Sequence, residues 1–153
     1  MSVQSRLQEL GITLPTPPAP VASYVPYTFS GNQVFISGQI PLKDGKPHYI
    51  GKVGADIGLE DAQAAAKLCA VNILAQLGAA CDGDLNRVVR CLKLGVFVNA
   101  VPDFGQQPEV ANGASDLMVQ VFGDAGKHAR AAVGVGSLPR GVVVEVDAVF
   151  EIS

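Results

Sequence analysis

Little in this chain can hold a transition metal or staple a fold. It carries three cysteines, Cys69, Cys81 and Cys91, and two histidines, His48 and His128. The cysteine count is odd and no CxxC spacing occurs, which argues against a disulfide framework or a zinc site. Cys69 falls on an apolar helical stripe, where a thiol reads as small core filling. Charge is scarce too: 16% of residues are charged and the formal net charge is −3, with no basic cluster. Tight binding to nucleic acid needs many phosphate-neutralising side chains, so that class is disfavoured. No apolar run approaches the roughly 18 residues of a membrane span. The start, MSVQSRLQEL, lacks the basic residues and apolar block of a secretory signal. A cytoplasmic protein is expected. Low charge beside 48% hydrophobic residues also suggests that another subunit covers some apolar surface.

What the chain does have is periodicity. Its 153 residues suffice for one domain with a substantial core. Ser2 is placed to cap a short helix reaching Leu10, with Gly11 as its stop, and TLPTPPAP follows as an extended connector. Val21–Phe29 and Gln33–Ile40 read as strands around a Ser30-Gly31-Asn32 turn, and His48–Val53 as a short third strand after a polar loop. His48, beside that loop, reads as an exposed histidine. Leu59–Ala80 has the clearest helical spacing, with Glu60 and Asp61 suited to its positive end. Val88–Asn99 reads as a strand apolar on both faces, with Leu92, Leu94, Val96 and Val98 on one and Val89, Cys91, Gly95 and Phe97 on the other. A second helix starts near Pro108 and runs to about Phe122. The order β-β-β-α-β-α-β-β predicts an α+β two-layer sandwich, one mixed β-sheet with two helices on one face.

The most informative stretch is the last quarter, HARAAVGVGSLPRGVVVEVDAVFEI, from His128 to Ile152. Two runs rich in β-branched residues flank a turn at Leu138–Pro139. Read as a hairpin, it sets Glu145 opposite Ala132, with Arg130 one diagonal step away on the same face. Alternation adds Asp147 to that face and gives Val142, Val144, Val146, Ala148 and Phe150 to the core. From the residues alone, the arginine and carboxylates are either a structural ion pair or a site. Gly38, inside the second strand, is likewise either a bulge or a place where a ligand approaches the backbone.

ARAAVGVGSLPRGVVVEVDA resembles the closing segment of the RidA family, also called YjgF or endoribonuclease L-PSP, and VFISGQIPLKDG resembles its first hairpin. The resemblance covers residues 17–152, so residues 1–16 are expected to be an N-terminal helical extension and connector, and 17–153 a single RidA-like domain. It implies a chorismate-mutase-like homotrimer with ligand clefts between subunits. It also implies hydrolysis of reactive 2-iminoacids to 2-oxoacids and ammonia, with no metal and no bound cofactor. Arg130 would anchor a substrate carboxylate and Glu145 would position water. Ser37, Tyr24 and the Gly38 backbone would orient the ligand, and Asn112 lies nearly where the family has an asparagine; a solvated asparagine at a helix start is the alternative. Ala132 stands where the family's deaminases usually carry cysteine, and His128 either shapes the cleft or sits in a loop. Two other functions stay open: a non-catalytic trimer that binds small carboxylates, and the ribonuclease or translation-inhibitor activity claimed for some relatives.

Overall fold

Alanine lets the longest helix lie close against the sheet. In α2 (Leu59–Ala80), Ala62, Ala65, Ala66 and Ala70 are fully buried beside Cys69, Ile73 and Leu77. The computed structural model describes residues 2–18 and 23–153. Val21 and Ala22, the start of the expected first strand, lie outside the described residues. The remainder of that strand is β1 (Tyr27–Ser30), followed by β2 (Gln33–Gln39), a small hairpin of β3 (Leu42–Lys43) and β4 (Lys46–Pro47), and then α2. β5 (Val88–Asn99), α3 (Gln107–Phe122), β6 (Ala129–Val135) and β7 (Val144–Ile152) complete the domain. At the N-terminus, Ser2 accepts from the Ser5 backbone N–H to cap α1 (Val3–Glu9), as its position in the sequence predicts. Leu7 of this helix is buried in the common core, and Arg6 donates to the carbonyl of Gln120 in α3.

The main sheet has the order β1-β2-β7-β5-β6. β7 is its centre, antiparallel to β2 on one side and to β5 on the other, while β6 runs parallel to β5 at the edge. Both long helices cover one face. There Val34, Ile36, Leu94, Val96, Val144, Val146, Ala148 and Phe150 meet the helices and are buried. This is the α+β two-layer arrangement expected, and no helix among the described residues is long and apolar enough to cross a membrane.

Three local expectations are corrected. The last quarter is not a hairpin: β5 lies between β6 and β7, so Glu145 faces Phe97 rather than Ala132. Residues 136–143 cross the end of β5 instead of turning tightly, with Val142 and Val143 buried and Asn99 N–H donating to the Val143 carbonyl. β7 takes the central place because one of its faces is fully apolar, whereas β6, rich in alanine and glycine, suits an edge. Second, His48–Val53 is not a regular strand. Tyr49 (φ 58°) and Gly51 (φ 133°) leave the extended region, and only isolated bridges form, from Ile50 to Val142 and from Val53 to Ala100. Third, register shifts on both sides of Cys91 break the alternation of β5. Cys91 opposite Phe150 therefore enters the buried core instead of sharing the face of Gly95 and Phe97.

Candidate functional site

Arg130 and Glu145 stand on opposite faces of the sheet. Arg130 pairs with Leu94, a buried residue on the helix-covered side, and its guanidinium reaches into α3. Glu145 pairs with Phe97, one residue out of phase with that side, and points to the helix-free face. No ion pair joins them. The juxtaposition expected from the hairpin reading thus does not exist within one chain.

The Arg130 half of the site is built on α3. Nη1 donates to Asn112 Oδ1 at 2.8 Å and to Ser115 Oγ at 3.0 Å, and Nη2 donates to the Pro108 carbonyl at 3.2 Å. A guanidinium has five N–H donors, so Nε–H and one Nη2–H are left over as donors for a carboxylate. Asn112 is therefore not a merely solvated asparagine at a helix start; it holds the arginine. Ser115 was not legible as a site residue in the sequence, and the only signal would have been its three-residue spacing from Asn112 on one helix face. His128 is half-buried rather than a free loop histidine. Its Nε2 lies 2.9 Å from Ser115 Oγ and its Nδ1 lies 2.6 Å from the Gly126 carbonyl. Ala132 is on the same face of β6 as Arg130 and packs against the core.

The Glu145 half is built on the helix-free face. β2 has a register shift between Ile36 and Gln39, so Ser37 and Gly38 form the bulge that the sequence allowed. The Glu145 carboxylate lies over this bulge: a Cβ on Gly38 would sit 2.9 Å from its Cδ. Glycine lets the carboxylate take this place, and a side chain there would displace it. Ser37 donates its hydroxyl to the Val25 carbonyl at 2.8 Å, fixing the entry of β1, and keeps lone pairs free to accept. Tyr24, 64% exposed, extends from the same region. Asp147 rests on Gly95 in the same way, and a Cβ there would come within 3.2 Å of its Cγ. Asp147 helps to line a cavity of about 370 Å³ with Ser37, Tyr27, Phe35, Lys93 and Val149.

Burial, and secondarily the charge of Asp147, holds the Glu145 carboxyl above its ordinary range. Burial also raises Asp147, against the opposing pull of the Gly95 backbone hydrogen bond and the Lys93 ammonium. Half-buried carboxylates with raised pKa are suited to accept and return a proton near neutral pH. The cysteines are not suited to chemistry. Burial pushes Cys91 up to about 12 and Cys69 well above the usual thiol range, so neither supplies a thiolate.

This sheet, with its two helices on one face and its bulged second strand, is the fold of the YjgF and chorismate mutase-like proteins. Residues 4–150 match the family described as "YjgF/chorismate mutase-like, putative endoribonuclease", and the chain belongs to that family. It is 50% identical over 152 residues to Protein TCP17 of Trypanosoma cruzi, covering 99% of this chain and 94% of that one. A crystal structure of a protein of unknown function from Agrobacterium tumefaciens superposes with a TM-score of 0.93 at 51% identity, covering 99% of this chain and 94% of that one. Escherichia coli TdcF, solved with bound serine, superposes with a TM-score of 0.62 at 25% identity, covering 90% of this chain and 94% of that one.

Proposed function

We propose that this protein hydrolyses small reactive 2-iminoacids to 2-oxoacids and ammonia. The observation that carries the reading is the Arg130 guanidinium, held by three bonds to α3 with its Nε–H edge and one Nη2–H left over. A small carboxylate fits that edge. The serine bound by TdcF is a small amino acid with such a group, and a 2-iminoacid has the same carboxylate next to a planar C=N carbon. In this mechanism Arg130 holds the carboxylate and Glu145 takes a proton from water as the oxygen attacks the imine carbon. That proton passes to nitrogen to give a carbinolamine; the hydroxyl proton then moves through Glu145 to nitrogen as the C=O bond forms and the C–N bond breaks, releasing ammonia and the 2-oxoacid. The bulge at Ser37 and Gly38 makes room for the carboxylate of Glu145, and Tyr24 contacts the ligand. Because Arg130 and Glu145 occupy opposite sheet faces, the two halves meet between copies of the chain, in a homotrimer. The reaction needs no metal and no cofactor.

A coupled assay tests this. An amino-acid oxidase or dehydratase generates the imine, and 2-oxoacid release is followed with and without the protein. A rate above the spontaneous one, lost in Glu145→Gln, is expected. A parent protein without effect would refute hydrolysis. Ala132 supports a second reading, a carboxylate-binding trimer without turnover, because the family's deaminases usually carry cysteine there. That reading predicts 2-oxoacid binding that depends on Arg130 and no acceleration. Ribonuclease action has less support, given the formal charge of −3 and the absence of a basic cluster.

A further inference from the structure

We propose that Ser115 and His128 are positioning residues for Arg130, and that they decide which edge of its guanidinium is offered to a carboxylate. The proposal rests on the reading of Arg130 as the carboxylate anchor. Without Ser115, the bonds to Asn112 and the Pro108 carbonyl would leave one Nη1 hydrogen uncommitted and free to compete for a ligand. Ser115 supplies a second contact to the same nitrogen, and both Nη1 hydrogens are then committed. A serine hydroxyl alone is a poor fixed acceptor, because its hydrogen rotates to suit its surroundings. Here its surroundings are directional. The Gly126 carbonyl can only accept, so His128 Nδ1 carries the hydrogen that bridges them. The neutral ring then presents a lone pair on Nε2, which takes the Ser115 hydrogen. The hydroxyl oxygen is thereby left with its lone pairs toward Nη1.

Every donor in the chain points the same way, from Arg130 through Ser115 and His128 to the carbonyl of Gly126. Aligned hydrogen bonds of this kind reinforce one another. The far end is rigid: Gly126 is buried, and a Cβ on it would lie 2.5 Å from the Met118 carbonyl carbon of α3. The chain therefore ends on packed backbone at Gly126. Its result is an arginine that keeps Nε–H and one Nη2–H for a carboxylate.

The test combines a spectrum with ligand titration. Long-range ¹⁵N–¹H correlation of the parent protein should show His128 in the Nδ1–H tautomer, and Ser115→Ala should shift it toward a mixture. Pyruvate is the binding probe. Ser115→Ala and His128→Phe should weaken pyruvate about tenfold, the factor for losing one modest hydrogen bond. Ser115→Thr, which keeps the hydroxyl, should bind within about twofold of the parent. Arg130→Ala is the reference for the largest loss. An Nε2–H tautomer in the parent overturns the proposal. So does full pyruvate affinity in Ser115→Ala while Arg130→Ala has lost it, and this result leaves the anchor reading intact. If Arg130→Ala binds pyruvate as the parent does, the anchor reading fails and the proposal falls with it.

Discussion

Substituting Arg130 and Glu145 should cause different kinds of loss. Arg130→Ala is expected to weaken 2-oxoacid binding by about 1.5–3 kcal/mol, the scale of a charge-assisted hydrogen bond. Arg130→Lys should restore little, since an ammonium lacks the planar donor pair. Glu145→Gln keeps the shape over Gly38 but removes the proton acceptor, so turnover should fall more than affinity. Calorimetric titration beside steady-state rates separates the two, and equal effects on both parameters in both variants would contradict the assigned roles. A second expectation follows from the raised carboxyls. Glu145 and Asp147 titrate above their ordinary values of 4.5 and 3.8. A carboxyl with raised folded-state pKa binds its proton more tightly when folded. Its stabilising contribution is therefore full below the ordinary value and lost as pH rises through the raised one. Asp147→Asn and Glu145→Gln should raise the melting temperature near pH 7 and change it little near about pH 4. An equal shift at both pH values would count against a desolvated pair. At this scale the sequence was informative about identity and not about placement. Arg130, Glu145 and Gly38 stand out by type and spacing and Asn112 by the family resemblance, and each proves to have a specific neighbour. The neighbour of Glu145 is Gly38, not Arg130, because strand pairing is a non-local choice that period-2 alternation leaves undetermined.

The elements show where local pattern ended and long-range pairing began. α2 appears over Leu59–Ala80 and α3 begins one residue before Pro108, because helical periodicity and capping are properties of adjacent residues. The sequence predicts a hairpin between β6 and β7 because Leu138–Pro139 between two apolar runs carries a turn signal, yet β5 lies between them. The signal is correct, since Pro139 opens a short 3-10 turn, but that turn belongs to a crossing loop. The pattern of His48–Val53 predicts a strand that does not form, and the segment's role is visible only in three dimensions. Lys52 Nζ donates to Asn99 Oδ1 at 2.7 Å and to the Gly136 carbonyl, tying this strap to the ends of β5 and β6. Asn99 is 4% exposed and spends its amide hydrogens on the Gly51 and Val142 carbonyls. Lys52→Met keeps the aliphatic stem and leaves the Asn99 carbonyl oxygen unpaired. A destabilisation of about 1–3 kcal/mol is expected, the cost of a buried acceptor without a donor. Urea unfolding measures it, and a change below about 0.5 kcal/mol, the range of an ordinary surface substitution, would show that the strap is held by its backbone bridges alone.

At the scale of the whole molecule, the helix-free face has to be accounted for. Phe35, Val149 and Lys93 form one row across it, and Glu145, Phe97 and Val133 another. Phe35 is 40% and Val133 46% exposed, so the sheet presents apolar area that a single chain does not cover. In the proposed homotrimer, this face is buried and Glu145 of one copy meets Arg130 of the next. Light scattering should then report about three chains per particle, and mixing inactive variants should rebuild sites. Arg130→Ala chains keep Glu145, and Glu145→Gln chains keep Arg130. If each site takes its arginine from one copy and its glutamate from the neighbour, unfolding and refolding the two variants together in equal amounts yields intact sites at about one junction in four. The mixture should recover about a quarter of the parent's imine hydrolysis, while each variant refolded alone stays inactive. A site contained within one chain predicts no recovery at any ratio, because no chain in the mixture has both side chains. Recovery that follows the product of the two variants' fractions as the ratio is varied would identify a junction of two copies as the catalytic unit.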